Sequence, residues 1–292
     1  MKLIRAADIT QDMVTTSAVE TASLWSSGTT YNASDTVYKG IRLYESVAGS
    51  NLNHDPESTT GYWLDIGPIN PMAMFDNVIS TTTTDTDVLE VTIDFTGRVD
   101  SIYLGNVSAA TVNIVIMDGV TEVYNETVTM SSTSAIEDWY GYFFEDIVRE
   151  EEVLFLDLPN VLDPSITLTF TDTGATVYCG HLVAGTILEV GGTVYGASYG
   201  ITDYSRKEQD QFGNWSITPR GFSKRGSFRV FIENDNITNV FQTLSQYRAT
   251  PVMVIGSSIY SPTFIFGLLK DWSIEISYPS HSIATIEMEG LT

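Results

Sequence analysis

Along most of this chain, hydrophobic residues recur at every second position, which is the pattern of β-strands with one buried face. In VLEVTIDF, residues 88–95, the apolar side chains from Leu89 to Phe95 fall on one face, and the polar residues between them face water. The stretch VNIVIMDGVTEVYNETV predicts a hairpin that turns at Asp118-Gly119. SITLTF, SFRVFIE, DWSIEISY and ATIEMEG repeat the strand pattern. We therefore predict a mainly β protein.

One segment has clear helical spacing. In ITNVFQTLSQYRA, residues 237–249, apolar residues recur at intervals of three and four. Asn236 precedes the segment as a suitable N-cap, and Pro251 follows its end. We predict one helix over 237–249 that flanks the β structure. Its apolar positions are Ile237, Val240, Phe241, Leu244 and Tyr247.

Shifts in composition predict four sections. Residues 1–20 are expected to form an N-terminal arm, short helical or extended, able to contact another protein. Gly, Pro and Asn cluster in GPINPM, residues 67–72, and this cluster ends a small aromatic-rich β module at 21–70. An acidic β-sandwich is predicted for 71–195. A β-sandwich or barrel domain that carries the helix is predicted for 196–292.

Charge limits the classes of partner. The 292 residues include 37 acidic and 14 basic ones, for a formal net charge of −23. Most of the excess lies between residues 71 and 205, where 21 acidic residues face only Arg98 and Arg149. Such a surface repels nucleic acid and anionic membranes, so neither is expected as a partner. No apolar run approaches the roughly 20 residues that cross a bilayer, so no membrane insertion is expected.

The single cysteine, Cys179, rules out a disulfide within the chain and a four-thiolate zinc site. The first residues lack the apolar core of a signal peptide, so synthesis in a reducing cytoplasm is expected. Only three histidines are present, and they lie far apart along the chain. A catalytic zinc site is therefore not predicted, and no cofactor is expected.

Two motifs suggest catalysis, but their surroundings argue against it. GASYG, residues 196–200, matches a nucleophile elbow around Ser198, yet the polar residues that follow lack the apolar stripe of the required helix. Cys179 and His181 lie two apart on a predicted strand, hence on one face, but no third residue is predicted to orient the base. We predict a glycine-rich bend, a buried cysteine and no enzymatic activity.

Carboxylates in predicted turns are the remaining candidates for metal ligands. Asp85, Asp87 and the Asp118-Gly119 turn supply oxygen atoms, but none has the ligand density of a calcium loop. Solvated turn carboxylates are the favoured interpretation, and one structural calcium stays open as the alternative. Paired carboxylates for glycoside hydrolysis are not singled out by any pattern.

Residues 24–66 are similar to the small carbohydrate-binding modules of families 5 and 12. Those modules share a Trp, a Tyr a few residues later, a turn, an apolar-Tyr strand and a final Trp. Because about 45 residues bury little surface, bulky aromatics are needed to build a core of this size. The positions that carry the resemblance are Trp25, Tyr31, Val37, Tyr44 and Trp63.

This resemblance implies that aromatic residues of the module stack on sugar rings. The implied glycan-stacking residues are Trp25, Tyr31, Tyr44 and Trp63. Where chitin-binding members carry a further exposed aromatic pair, this chain has SVAGSN, without an aromatic residue. Tyr31 is the position that matches a ligand-stacking residue of the family.

The C-terminal third resembles a module of tail-tip proteins from long-tailed bacteriophages. WLDIGPINPMAMFD, residues 63–76, also resembles the junction that such proteins place after a small first module. The acidic middle resembles only a generic jelly-roll or galactose-binding-like sandwich. The residues that carry the C-terminal resemblance are Asp203-Tyr-Ser-Arg-Lys-Glu, Phe212-Gly213, Arg220, Ser223-Lys-Arg, Arg248-Ala-Thr-Pro251 and Glu289-Gly-Leu.

Six of the eight basic residues after position 205 lie between 203 and 232. We interpret five of them as an interface that meets acidic surface on a neighbouring subunit; the alternative is a solvated strand face. The five residues are Arg206, Lys207, Arg220, Lys224 and Arg225.

The resemblances imply a distal-tail-like virion structural protein of a tail tip or baseplate. Such a protein is made in the host cytoplasm and forms a ring that connects the tail tube to host-recognition parts. Its partners are expected to be copies of itself, neighbouring tail proteins and a host surface glycan. A stand-alone carbohydrate-binding protein is the alternative. A secreted polysaccharide hydrolase is the third hypothesis, and the absence of a catalytic motif argues against it.

Overall fold

A computed structural model describes residues 1–132, 148–209 and 211–292. Residues 133–147 of the predicted acidic sandwich lie outside the described residues. The protein is mainly β, as predicted, with several sheets and a single α-helix in the described part of the chain. In chain order the strands are β1 (Lys2–Ala6), β2 (Val14–Thr16), β3 (Ser23–Leu24), β4 (Thr30–Tyr31), β5 (Thr36–Lys39), β6 (Arg42–Ser46), β7 (Asn51–Leu52), β8 (Trp63–Pro68), β9 (Thr83–Asp94), β10 (Ser101–Ser108), β11 (Thr111–Asp118), β12 (Thr121–Thr129), β13 (Ser131–Ser132), β14 (Val148–Arg149), β15 (Glu152–Phe155), β16 (Ser165–Glu189), β17 (Gly192–Thr193), β18 (Ser198–Asp203), β19 (Arg206–Gln209), β20 (Trp215–Thr218), β21 (Phe222–Glu233), β22 (Val252–Ile255), β23 (Phe264–Glu275) and β24 (His281–Gly290).

Fourteen strands form one continuous hydrogen-bonded network. Its main path runs β12-β11-β16-β1-β22-β23-β24-β21-β17, and further strands branch from it. The 25-residue strand β16 is the spine, because its first half pairs with β9 and β11 and its second half pairs with β10 and β1. The middle and C-terminal sections therefore share one sheet, and the division at residue 195 stays a prediction.

The first residues of the chain lie inside this sheet rather than in an arm. Strand β1 pairs with β16 on one side and with β22 on the other. Leu3 and Ile4 have no exposed surface, and as neighbours in a strand they point to opposite faces. Leu3 joins the C-terminal core, and Ile4 joins a separate cluster with Tyr103 and Phe264. Burial on both faces makes β1 the strand that connects the two sections.

The alternating segments behave as their patterns predict. In β9, Leu89, Val91 and Ile93 are buried in the core of the middle section, and Glu90 is exposed. Strands β11 and β12 form the predicted hairpin, in which Asp118 pairs with Thr121.

The helix α1 (Ile237–Gln246) is shorter than predicted. It ends at Gln246 rather than 249, because the backbone leaves helical geometry at Tyr247 (φ −89°, ψ 10°) and Ala249 then adopts a positive φ of 56°. Asn236 precedes α1, but its side chain makes no capping hydrogen bond, since a short 3₁₀ turn over Asn234–Asn236 leads directly into the helix. Val240 and Leu244 are buried and hold α1 on the C-terminal core.

The small module forms two sheets of its own. Strands β3, β5, β6 and β8 form a four-stranded sheet in that order, and β4 pairs with β7. Side chains from both sheets meet in a compact aromatic cluster. The sheets of residues Ser23–Pro68 are separate from the large network, in keeping with a distinct module.

Candidate functional site

Three of the four predicted glycan-stacking residues form the core of the module. Tyr31, Tyr44 and Trp63 are between 4 and 7% exposed. Tyr31 and Trp63 pack edge to face with ring centroids 5.2 Å apart. The Trp63 indole N–H donates to the His54 carbonyl oxygen at 2.8 Å. Their ring faces are covered by protein, so we correct their assignment from sugar stacking to core packing.

The fourth residue, Trp25, is half-buried against the same cluster. The ammonium group of Lys39 lies 5.3 Å from the centre of its ring, in a cation–π arrangement. Lys39 also pairs with Asp55 at 2.7 Å and with Glu57 at 3.1 Å, which holds the ammonium group in place. One face of Trp25 is therefore occupied by protein.

The exposed apolar face of the module is made by residues that the sequence analysis did not single out. Leu24 pairs in register with Tyr38, and Tyr38 pairs with Leu43, so these side chains share one face of the four-stranded sheet. Val37, the residue before Tyr38, points to the core on the other face. Leu24 is 61% exposed, and Tyr38 is half-buried. The sequence TVYK already indicated this exposed position, because alternate residues of a strand point to opposite faces and Tyr38 therefore faces away from Val37.

A second aromatic pair lies at the edge of the module. The rings of His54 and Tyr62 stack with centroids 3.5 Å apart and planes 9° apart. The Nδ1 atom of His54 is hydrogen-bonded to the Asn51 amide oxygen at 2.9 Å, and Asn51 is buried. The stack is therefore anchored to the module core while Tyr62 remains exposed.

Of the five predicted interface residues, two lie on a small projecting hairpin. Arg206 and Lys207 belong to β19, which pairs only with β20 in a two-stranded sheet of the described residues. Arg206 pairs with Glu208, and Lys207 pairs with Asp203 at 2.6 Å. The Lys207 hydrogen bond is the main cause that lowers the pKa of Asp203. Both cations are solvent-exposed, and each already has an acidic neighbour.

Arg220 and Arg225 are exposed and take part in no ion pair of the described residues. The Arg220 backbone N–H donates to the Ser205 hydroxyl at 3.1 Å, which closes the base of the hairpin. Arg225 lies on β21 opposite Gly200 of β18. They differ in this respect from Arg206 and Lys207, which are exposed but already paired.

Lys224 does not belong to that surface, and we correct its assignment. Neighbouring residues of a strand point to opposite sides, so Lys224 lies on the other side of β21 from Arg225. Its ammonium group pairs with Glu152 of β15 and donates to the Phe264 carbonyl oxygen at 3.3 Å. Its side chain is 31% exposed. This ammonium group is therefore already paired within the chain.

This region exposes apolar side chains that the sequence analysis overlooked. Trp215 and Ile217 of β20 are 62% and 60% exposed, and Tyr199 and Ile201 of the neighbouring strand β18 are exposed to nearly the same extent. We call the described hairpin residues 204–209 and 211–221 the hairpin surface; the exposed side chains of β18 lie on the Lys224 side of the sheet, because Ile201 pairs in register with Lys224. The alternation in WSIT and SYGITD contained the signal, because these strands have no buried face in the chain.

The two catalytic motifs are structural. Ser198 begins β18, an antiparallel strand paired with β21, so no helix follows it as an elbow requires. Cys179 is fully buried, and burial raises its pKa to about 12. Burial lowers the pKa of His181 to about 4, and neither of its ring nitrogens has a hydrogen-bond partner in the described structure. A neutral thiol beside a neutral, unoriented imidazole is not an activated nucleophile.

The turn carboxylates are engaged in local hydrogen bonds. Asp85 accepts from the Ser17 hydroxyl at 2.7 Å, and Asp87 accepts from the Gly174 N–H at 2.6 Å. Asp87 itself adopts a positive φ of 63°, next to the irregular pairing of β9 with β16. No group of three metal-ligating residues occurs among the described residues.

A cavity of about 450 Å³ lies where the middle and C-terminal sections meet. Tyr103, Glu152 and Lys224 line it on one wall, and phenylalanines of β21 and β23 line it on another. Burial, followed by the influence of Glu152, raises the pKa of Tyr103 well above its usual value. Burial also raises the pKa of Glu152, and Lys224 only partly opposes this effect. Titratable groups with shifted pKa values therefore meet in this partly open cavity.

Comparison with protein-family models and with curated proteins finds no match for this chain. In the described residues, no helix has both the length and the apolar character that a membrane span requires.

Proposed function

We propose that this chain is a structural component of a bacteriophage tail tip or baseplate, in which copies associate into a ring. The observation that carries the proposal is the hairpin surface. Strands β19 and β20 are exposed at every position and lie outside the large network. Exposed Trp215 and Ile217, the latter paired in register with the exposed Lys207, are typical of a surface that becomes buried on association.

Strand β12, at one end of the main strand path, offers a complementary acidic surface. The described residues provide it with a strand partner, β11, along one edge only. Glu122 and Glu126 of β12 are exposed, as is most of this strand. Open strand edges are sites at which other chains add. An acidic strand at the end of the path and a hairpin surface outside the network support a head-to-tail contact, which closes into a ring at a suitable rotation.

The charge distribution supports the same arrangement. The strongly acidic middle section disfavours side-by-side association of like surfaces and steers the arginines of a neighbouring copy toward β12. In this proposal the small module projects outward and contacts host glycan through its exposed face, which contains Tyr38, rather than through the buried aromatics.

Light scattering coupled to size-exclusion chromatography, with negative-stain microscopy, tests the proposal. The wild-type protein is expected to form a closed ring at low salt. Raising the salt concentration is expected to dissociate the ring, so that the measured mass falls. Reversing Arg220 and Arg225 to Glu is expected to yield monomers, and the matched control Arg98→Glu, an exposed arginine of the middle section, is expected to retain the ring. A wild-type protein that stays monomeric at every concentration and low salt contradicts the proposal.

A stand-alone carbohydrate-binding protein is the second candidate, and the exposed face around Leu24 and Tyr38 favours it. In that case a monomer binds a glycan on an array, and Tyr38→Ala abolishes the signal. Tyr31→Ala serves as the contrast, because Tyr31 is a core residue and its loss is expected to destabilise the module as well.

A further inference from the structure

The cavity between the two sections has the size and composition of a small-molecule site. Its volume of about 450 Å³ lies within the range of ligand pockets. Strands β10, β15, β21 and β23 contribute its walls, so residues far apart in sequence converge on one space. Convergent polar groups in a largely apolar cleft are the usual features of a binding site.

The polar wall offers both donors and acceptors, and the Lys224 ammonium group offsets the charge of Glu152. Lys224 has three N–H donors. Two of them donate to the Glu152 carboxylate and to the Phe264 carbonyl oxygen, so one donor remains. The Tyr103 hydroxyl lies against the same carboxylate. Gly105 leaves room for this hydroxyl, because a Cβ atom at position 105 would lie 2.7 Å from its oxygen.

A strained asparagine adds a further acceptor. Asn106 lines the cavity and adopts a positive φ of 52° in the middle of β10. Its amide nitrogen donates to the Ile79 carbonyl oxygen at 2.8 Å, whereas its amide oxygen accepts no hydrogen bond from the described residues. Left-handed backbone at a non-glycine residue is uncommon and concentrates at functional positions.

The apolar wall is aromatic. Phe264 and Phe266 are each 6% exposed, and Phe264 packs against Tyr103 with ring centroids 6.5 Å apart. Phe222 also lines the cavity but is 54% exposed, so its ring lies at the solvent-facing side. An accessible ring next to a row of hydrogen-bonding groups suits a ligand with one apolar face and a polar rim.

We infer that this cavity binds a single neutral pyranose unit. Sugar hydroxyls both donate and accept, which matches Lys224, Glu152 and Asn106, and the C–H face of the ring matches the phenylalanines. The carboxylates of Glu151 and Glu152 repel an anion, and the ammonium group of Lys224 repels a cation, so a neutral ligand is favoured. The inference does not rest on the proposed assembly, because all of these groups belong to one chain.

Titration calorimetry and ligand-observed NMR with a panel of methyl pyranosides test the inference. At least one glycoside is expected to bind with a Kd on the order of 1 mM, typical of a single sugar unit with few contacts. Phe222→Ala is expected to weaken binding at least about tenfold, equivalent to about 1.4 kcal/mol. The matched control is Phe241→Ala on α1, which has the same 54% exposure, lies outside the cavity and is expected to bind as wild type.

Glu152→Gln provides an independent test, since it keeps the shape of the side chain and removes its charge. Weakened binding in this variant and in Phe222→Ala, with Phe241→Ala unchanged, supports the inference. Saturable binding that survives both cavity variants but is lost in Tyr38→Ala places the sugar on the module and overturns it. Binding of amino acids or of inorganic phosphate in place of glycosides, or no binding of any glycoside, also overturns it.

Discussion

The ammonium group of Lys224 on β21 forms an ion pair with the carboxylate of Glu152 on β15, across 72 residues of sequence. The pair joins the C-terminal section to the middle section at the edge of the cavity. Only 17% of the Glu152 side chain is exposed, so this pair is shielded from solvent far more than the surface pairs of the hairpin. Removing one partner leaves the other charge desolvated, which is why we expect a larger cost here than at the surface.

We predict that Lys224→Met lowers the free energy of unfolding by about 2–3 kcal/mol at pH 7. Burial raises the pKa of Glu152, and removing the cation raises it further. Folding of the variant therefore favours protonated Glu152, and its stability relative to wild type recovers as pH falls below neutral. Urea unfolding at neutral and mildly acidic pH measures this difference.

Lys270→Met is the matched control. Lys270 and Glu289 form a pair at 3.8 Å with both side chains largely exposed. We expect this change to cost about 0–1 kcal/mol with little dependence on pH. Equal costs for the two lysine variants would contradict a structural role for the buried pair.

The second prediction concerns His181, which packs on Phe266 with ring centroids 3.9 Å apart. Burial lowers its pKa from 6.5 to about 4. The part of the free energy of unfolding that depends on neutral His181 is fully present above pH 6.5. It is lost as pH falls toward 4, because this histidine takes up a proton in the unfolded chain before it does so in the folded protein. A shift of this size corresponds to about 3 kcal/mol.

The measurement is the free energy of unfolding across that pH range. Between neutral pH and pH 4, the free energy of unfolding of His181→Phe is expected to fall by about 3 kcal/mol less than that of wild type. Phe266→Leu alters the same contact without removing a titratable group, so its pH dependence should follow wild type. An unchanged pH dependence in His181→Phe would show that protonation of this histidine is not linked to folding.

The third prediction separates core from binding platform in the module. Trp63→Ala removes a buried ring and its hydrogen bond to His54, and it should destabilise the module by about 3–5 kcal/mol. Leu64→Ala, one residue along the strand, removes a side chain that is 54% exposed and should cost within about 0.5 kcal/mol. Hydrogen-exchange mass spectrometry over residues 23–68 reads out both variants. Retained protection in Trp63→Ala would restore this residue as a ligand-binding candidate.

The fourth prediction concerns the N-terminal strand. Deleting residues 1–6 removes the strand that pairs with both β16 and β22, so we expect the loss of cooperative unfolding in circular dichroism. Ile4→Asp, which buries a charge, should cost more than about 4 kcal/mol. Arg5→Ala is the control in the same strand, because Arg5 is exposed. Wild-type stability of the deletion variant would support a dispensable arm.

The fold class could be predicted because alternation is a local property. In β9 from Leu89 to Ile93 and in β11 from Val112 to Ile116, apolar residues at alternate positions are buried as their pattern predicts, whereas Val88 and Val123 are exposed. The helix was located correctly by its spacing, but its C-terminal boundary was predicted three residues too far along. Backbone conformation at Tyr247 and Ala249, rather than hydrophobic periodicity, determines that boundary.

The roles of individual aromatic and basic residues required the tertiary structure. Tyr31 and Tyr38 are the same residue type seven positions apart, yet one lies in the module core and the other on its open face. Lys224 and Arg225 are neighbours in sequence, yet one is paired across the cavity and the other is accessible. Sequence composition does not distinguish these alternatives, because they depend on which strand packs against which face.

The sequence by itself determined that the chain is mainly β, that its middle is acidic, and where most strands alternate, because these properties depend on adjacent residues. The tertiary structure decided that residues 2–6 form a central strand, that the module aromatics face inward and that Glu152 meets Lys224. Each of these features depends on contacts between distant residues, from the few tens of positions between Tyr31 and Trp63 to the roughly 250 between β1 and β22. Such pairings are selected by the burial and hydrogen bonding of the whole sheet rather than by any local pattern.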